Sequence, residues 1–282
     1  MSFYSADLFV ELSKDREEFQ KIILDYYSDF GRSFPWRETD DPYAIWVSEV
    51  MLQQTQTERV LPKYREWMKV FPTIQSVAET PLSTLLSYWS GLGYNRRCKF
   101  LQDAAKQIMG NGGSFPSRTD DMKKLPGIGA YTAGAISAFA FNRPEVFIET
   151  NIRAVFIFFF FSEQGKVADK ELLPLIEQTL DRNDPRRWYY ALMDYGAQLK
   201  KKTVNPGRLS THYTKQSKFE GSLRQARGAI VRQLTRLENN ALDLSFIEKE
   251  EHIDYQRLKK AAESLVAENI LCKEDEKYFI VR

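Results

Sequence analysis

The sequence predicts a mainly α-helical protein that ends in a small module of helices and short strands, and three observations carry that expectation. Apolar residues recur at helical spacing through the first two-thirds of the chain, between proline and glycine breaks, and no alternating run is long enough to predict a sheet. The stretch from Leu125 to Asn151, LPGIGAYTAGAISAFAFNRPEVFIETN, reads as helix, glycine turn, helix: Pro126, Gly127 and Gly129 do not suit a helix interior, whereas Tyr131 to Ala140 holds no breaker except Gly134. From about Gly221 the character changes to amphipathic helices followed by a terminal strand pair.

The 282 residues leave room for about two domains, and 43% hydrophobic with 13% aromatic residues can fill their cores. The longest apolar run, Ala154 to Phe161, is too short to span a bilayer, and Met1 to Asp15 lacks a basic start, an apolar centre and a small-residue cleavage site. The expectation is a cytoplasmic, nucleoid-associated protein with no membrane partner. Cys98 and Cys272 are the only cysteines, beside His212 and His252, so neither a disulfide framework nor an iron–sulfur cluster is predicted. Net charge is only +2, yet Lys200 to Arg236 holds ten Lys/Arg against Glu220 alone, a patch suited to a polyanion.

Taken in order, residues 8 to 30 predict one or two helices before the punctuation at Phe34-Pro35-Trp36-Arg37. Tyr43 to Tyr64 reads as helical, with Trp46, Glu49, Val50, Gln53, Gln54 and Thr57 on one broad stripe. A lone helical glutamate ordinarily marks a solvated face. The apolar flanks Trp46, Val47, Val50, Met51 and Leu52 instead predict that Glu49 is partly buried with a raised pKa, a candidate proton donor. Further helices follow between Pro72, Pro81, Gly91-Leu92-Gly93 and Gly110 to Gly113. At the glycine turn, free amides and the next helix's positive end favour a phosphate oxygen, against the plainer reading of an αα-hairpin whose glycines only relieve crowding.

Beyond the turn, Thr150 is the expected N-cap of a very apolar helix, with Phe156 to Phe161 as buried core and Glu149 at its mouth. Asp181 to Arg187 reads as a turn, Trp188 to Leu199 as a helix and Lys200 to Gly207 as a basic loop. Leu223 to Leu237 and Tyr255 to Glu268 read as helices, and Ile270 to Val281 as two strands about Glu274-Asp275-Glu276. These predict either a winged-helix-like module or a helical cap packed on the preceding domain.

Together the motifs resemble the adenine DNA glycosylases (MutY type) of the helix-hairpin-helix, endonuclease III superfamily. The resemblance runs from about Arg32 to Ala197. It rests on Pro35-Trp36-Arg37, Pro42-Tyr43, Ser48 to Gln56 (SEVMLQQTQ), Leu92-Gly93-Tyr94, Leu125 to Gly129 and Ala191 to Ala197 (ALMDYGA), in that order. It implies a two-lobed helix-hairpin-helix glycosylase fold, with residues 1–34 and 146–207 as a discontinuous lobe, 35–145 as the helical-barrel lobe and 208–282 as basic linker and terminal module. It also implies a monomer that flips a base out of mismatched or damaged duplex DNA.

On this resemblance Glu49 protonates the leaving purine at N7, Glu149 stabilises the oxocarbenium-like sugar and Asn151 supports Glu149. Tyr131 stands where strand-cleaving relatives carry a Schiff-base lysine, which implies a glycosylase without lyase activity. Trp36, Arg37, Leu52, Gln54, Thr55, Tyr94 and Tyr190 are implied at the base pocket and DNA wedge. Gly127, Gly129, Lys200, Lys201, Lys202, Arg224 and Arg227 are implied at phosphate, with a monovalent cation at the hairpin the one cofactor left open. Four departures matter: Glu149-Thr150-Asn151 replaces the family's Asp-Gly-Asn, Tyr190 replaces a Gln or Glu, Asn95 replaces an aromatic residue, and the cluster cysteines after Ala197 are missing. Adenine opposite 8-oxoguanine or G is the leading substrate. Another mispaired or modified base, or DNA binding without catalysis, are the other readings.

Overall fold

The computed structural model describes residues 6–162, 165–216, 218–237 and 241–281, with side chains from residue 16 onward. Its first helices are α1 (Ala6–Phe30), α2 (Pro42–Leu52), α3 (Thr57–Val70), α4 (Ile74–Glu79), α5 (Leu82–Trp89), α6 (Arg96–Gly110) and α7 (Thr119–Met122). Next come α8 (Ala130–Phe141), α9 (Thr150–Phe160), α10 (Asp169–Thr179) and α11 (Pro185–Lys202). The last part comprises α12 (Leu223–Leu234), β1 (Ala241–Leu242), α13 (Leu244–Glu251), α14 (Tyr255–Ala267), β2 (Leu271–Glu274) and β3 (Lys277–Ile280). The expected mainly helical class stands.

The chain forms two compact units, one of residues 1–42 and 129–214, the other of 43–128 and 215–282. In the first unit α9 and α11 lie side by side, with α1 and α8 against α11. Phe19 of α1 sits edge-on to Phe156, Phe159, Phe160 and Trp188 at centroid distances of 5.4, 5.0, 5.2 and 5.8 Å. Such edge-to-face pairs add about 0.5–1.5 kcal/mol each beyond area burial. The expected Phe156 to Phe161 core is narrower than predicted: Ala154 to Ile157 are buried, while Phe158 is 39% exposed, because a helix cannot turn six successive residues to one side.

Where α9 and α11 meet, no side chain fits. A Cβ on Gly196 would lie 2.4 Å from the carbonyl oxygen of Asn151. Gly196→Ala therefore forces α11 away from the first turn of α9, and we expect it to destabilise the fold by about 1–3 kcal/mol or more, read as a fall in urea midpoint at unchanged m-value. A midpoint equal to wild type would mean that the helices do not pack this closely.

In the second unit Trp67, Phe71 and Trp89 pack together, and the Tyr43 hydroxyl donates to the Phe71 carbonyl at 2.6 Å while accepting from Trp67 Nε1 at 3.2 Å. The continuous helix expected over Tyr43 to Tyr64 is broken into α2 and α3, with Gln54 in the left-handed region at φ 55°. The cause is a side chain: Arg97 Nη1 donates to the carbonyls of Val50, Met51 and Gln53 at 2.7, 2.9 and 2.6 Å. It thereby satisfies carbonyls at the end of α2 that would otherwise continue the helix. At the chain's end α12 to α14 pack with an antiparallel sheet of order β1-β3-β2, in which Leu271 faces Ile280 and Ala241 faces Phe279. The strand pair matches expectation; α13 and β1 were not anticipated.

Candidate active site and nucleic-acid interface

Glu49 lies on α2, whose residues Tyr43 to Met51 are all buried, so the helix is apolar nearly all round and the carboxyl is enclosed with it at 5% exposure. The partial burial expected from its flanks is exceeded. Trp46 lies one turn earlier, fully buried, with its ring 5.5 Å from Phe115.

Glu149, in the other unit, corrects one expectation: it, not Thr150, is the N-cap of α9. Its backbone is extended (φ −132°, ψ −177°), and Thr150 is already helical. Glu149 Oε1 accepts from the amides of Asn151 and Ile152 at 2.6 and 2.9 Å. Its Oε2 accepts from Thr150 Oγ1 at 3.0 Å and, more weakly, from Asn151 Nδ2 at 3.4 Å. A half-buried carboxylate is thus fixed by four donors at a helix N-terminus, where an anion is favoured. Asn151 supplies two of these four donors, its backbone amide and its carboxamide. Its own Oδ1 accepts from Lys200 Nζ at 2.9 Å.

Lys200 also departs from the expected basic loop. Lys200, Lys201 and Lys202 close the last turn of α11, where cations complement the helix dipole, and the chain leaves the helix only at Thr203. Lys201 and Lys202 are exposed, whereas Lys200 turns toward Asn151. Burial draws the Lys200 ammonium below its ordinary pKa, Glu149 pulls it back up and Arg153 adds to the lowering. Arg153 is itself held by both carboxylate oxygens of Asp169 at 2.7 and 2.8 Å.

The expected base-pocket residues of the first unit form a packed group around one buried acid. Asp194 receives Arg37 through both carboxylate oxygens at 2.8 Å each, and Arg32 through its amide and guanidinium. Burial pushes the Asp194 carboxyl up, but Arg37 and Arg32 together outweigh it and hold the group below the usual carboxylate range. The Arg37 guanidinium lies 4.5 Å from the Tyr190 ring, which stacks on Phe139 at 4.4 Å. Trp36 is 4% exposed and stacks on Phe34, and its carbonyl accepts from the Tyr190 hydroxyl at 3.5 Å. In this arrangement Trp36, Arg37 and Tyr190 are packing partners of one another. Asp194 is the residue that the sequence reading passed over, although it lies inside the quoted ALMDYGA motif.

Tyr131 is half-buried at the start of α8, edge-on to Phe147 at 5.8 Å. At the turn before it, Gly127 has φ 76° and a Cβ there would meet Phe100 Cβ at 2.8 Å, so both conformation and space require glycine. Gly129 caps α8 without a side-chain hydrogen bond. That leaves the first-turn amides without the side-chain cap that a Ser, Thr, Asp or Asn would supply.

The second unit gathers Thr55 and Tyr94 around Arg97, which the sequence did not single out. Arg97 Nη2 donates to Thr55 Oγ1 and to the carbonyls of Leu92 and Gly93 at 3.1, 3.2 and 3.1 Å. Burial draws its guanidinium down to about 10, which leaves it charged at neutral pH. Leu52 is half-buried beside the break, Gln54 is exposed, and Tyr94, like Gln54, has a left-handed backbone (φ 50°). These two non-glycine residues mark two connections, α2 to α3 and α5 to α6, each held against its own preference. The Tyr94 phenol accepts from Gln216, and from Arg224 Nη1 at 3.2 Å. The Arg97 and Arg224 guanidinium groups lie 5.4 and 5.8 Å from its ring. A recess of about 1000 Å³ is lined by Gln54, Tyr94, Arg97, Gln216, Arg224 and Arg232, among others. Arg227 donates to Ser264 Oγ of α14 at 2.7 Å and pairs with Glu268, the residue that follows that helix.

Residues 47–178 match the model of the HhH-GPD superfamily base excision DNA repair proteins. Over that stretch the chain is similar to the superfamily, and its helical architecture resembles that of the helix-hairpin-helix glycosylases. It is also similar to adenine DNA glycosylases. It is 38% identical over 182 residues to that of Buchnera aphidicola subsp. Baizongia pistaciae, covering 64% of this chain and 52% of the relative. It is 33% identical over 192 residues to that of Homo sapiens, covering 64% and 35%. The match thus spans about half the bacterial relative's length and less of the human one. Among solved structures, a thermostable thymine-DNA glycosylase aligns with TM-score 0.59 at 26% identity, over 66% of this chain and 88% of that one. An endonuclease III–DNA complex aligns with TM-score 0.51 at 17% identity, over 69% and 86%, a likeness of fold. Among the described residues no helix is long and apolar enough to cross a membrane, and no cluster of His, Cys, Asp or Glu has the arrangement to hold a metal ion.

Proposed function

We propose that this protein is a DNA glycosylase that hydrolyses the N-glycosidic bond of adenine mispaired with 8-oxoguanine or G, without cleaving the strand. The observation that carries the reading is the chemistry of its two acids. Glu49 is an enclosed carboxyl on an apolar helix, suited to donating a proton to the leaving base; Glu149 is a carboxylate held by four donors, suited to facing developing positive charge. The similarity to adenine DNA glycosylases supports the choice of base. Water completes the hydrolysis, and Tyr131, with no amine at that position, leaves the abasic strand intact.

On the same reading Gln54 and Tyr94 enter the duplex, and the terminal module is a winged-helix-like element whose Arg224 reaches phosphate beside Tyr94. The protein acts as a monomer, without an iron–sulfur cluster and with no membrane association. Binding falls with salt as counterions are released. Arg224→Ala is expected to weaken duplex binding uniformly across sequences and to reduce the salt slope by about 1. An unchanged slope would remove Arg224 from the phosphate contacts. The function itself is tested by single-turnover assays on duplexes carrying adenine, thymine, uracil and alkylated purines opposite several bases. Release of a base other than adenine would move the assignment to that base, and tight binding without release of any would favour a non-catalytic DNA-binding protein.

A further inference from the structure

The last turn of α11 places one of its three lysines apart from the other two. Lys201 and Lys202 point to solvent, but the Lys200 ammonium is 2.9 Å from Asn151 Oδ1, and the same carboxamide turns its Nδ2 toward Glu149 Oε2 at 3.4 Å. An Asn side chain has two chemically different ends, and a cation can bind only the oxygen. A lysine on the Oδ1 side therefore selects the rotamer that presents a donor to the carboxylate. The contact is close because the two backbones are close: Gly196, one turn before Lys200, leaves room for Asn151.

We propose that Lys200 is a positioning residue, which acts through Asn151 to hold the Glu149 carboxylate in its working orientation rather than binding DNA phosphate. The relay runs Lys200 Nζ to Asn151 Oδ1, then Asn151 Nδ2 to Glu149 Oε2, and both units of negative and positive charge lie within one compact unit. The burial-lowered affinity of Lys200 for its proton fits an ammonium drawn out of solvent toward an acid. A phosphate-binding lysine, by contrast, stays exposed to solvent, as Lys201 and Lys202 are. The inference rests on the glycosylase reading for its kinetic consequence, but not for the contact itself.

The test is a double-mutant cycle of Lys200→Met and Asn151→Ala, read twice. In urea unfolding the two substitutions are expected to be non-additive, which reports the contact whether or not the protein is a glycosylase. In single-turnover base release, Lys200→Met is expected to lower the rate about 10-fold or more, to leave the duplex dissociation constant and its salt slope unchanged, and to have no further effect once Asn151 is Ala. Lys200→Arg, which keeps a donor for Oδ1, is expected to recover part of the rate. Additive unfolding energies would overturn the proposal, as would a Lys200→Met variant whose only defect is weaker, less salt-dependent DNA binding. If wild type releases no base from any duplex while the unfolding energies remain coupled, the glycosylase reading fails and the Lys200–Asn151 contact stands.

Discussion

Glu49→Gln is expected to reduce base release by about 10²–10⁴-fold while the protein still folds and still binds duplex DNA. The substitution keeps size and hydrogen-bonding capacity in a site that is 5% exposed, so it leaves no cavity, and it replaces an acid buried among apolar neighbours with a neutral amide. What it removes is the proton. Without a donor the departing base must leave as an anion, and none of the packing around α2 offsets that cost. The check is a single-turnover time course beside a titration of the same duplex. Normal release by Glu49→Gln would show that the acid is structural; lost binding as well as lost release would show that it holds the fold or the DNA.

Glu149 carries the second large effect, and here two roles separate. As the N-cap of α9 it stabilises the helix, and truncation to Ala costs about 1 kcal/mol on that account. On the proposed function it faces the sugar and lowers the barrier by several kcal/mol, so Glu149→Ala is expected to lose about 10²–10³-fold or more in rate with a small loss of stability. Glu149→Asp divides the two roles. Aspartate is a good N-cap, so stability is retained, but the charge retreats by about one methylene from Thr150 Oγ1 and Asn151 Nδ2, and a displacement on that scale costs about 10²-fold. A Glu149→Asp enzyme as fast as wild type or faster would mean that the surroundings are not built for the longer acid.

The parts of this molecule legible in the sequence are those written in local chemistry. The apolar spacing of α8, α9 and α11, the breaks at Pro126 and Gly127, and the polar turn before Lys277 each depend on residues within a few positions of one another. Glu49's burial followed from its immediate neighbours for the same reason. What stayed hidden depends on long-range partners. Nothing near Gln53 announces that α2 stops there, because the cause is Arg97, 44 residues later. Lys200 sits in a run of three lysines that reads as one solvated patch; only the approach of α11 to α9 at Gly196 sets it apart. Arg37 and Tyr190 read as pocket residues from their motif, while the group that binds Arg37, Asp194, is 157 residues away. The N-cap of α9 was misassigned because threonine is the commoner cap, and the extended backbone at Glu149 outranks that preference.

The most direct measurement is to incubate enzyme in excess with a duplex carrying a single adenine opposite 8-oxoguanine, identify the released base, and compare strand breaks with and without alkali for wild type and Glu49→Gln. The expected result is free adenine, breaks that form only after alkali, and neither in the variant. Breaks that form without alkali would contradict the monofunctional reading, and adenine release undiminished in Glu49→Gln would contradict the assignment of the proton donor on which the rest depends.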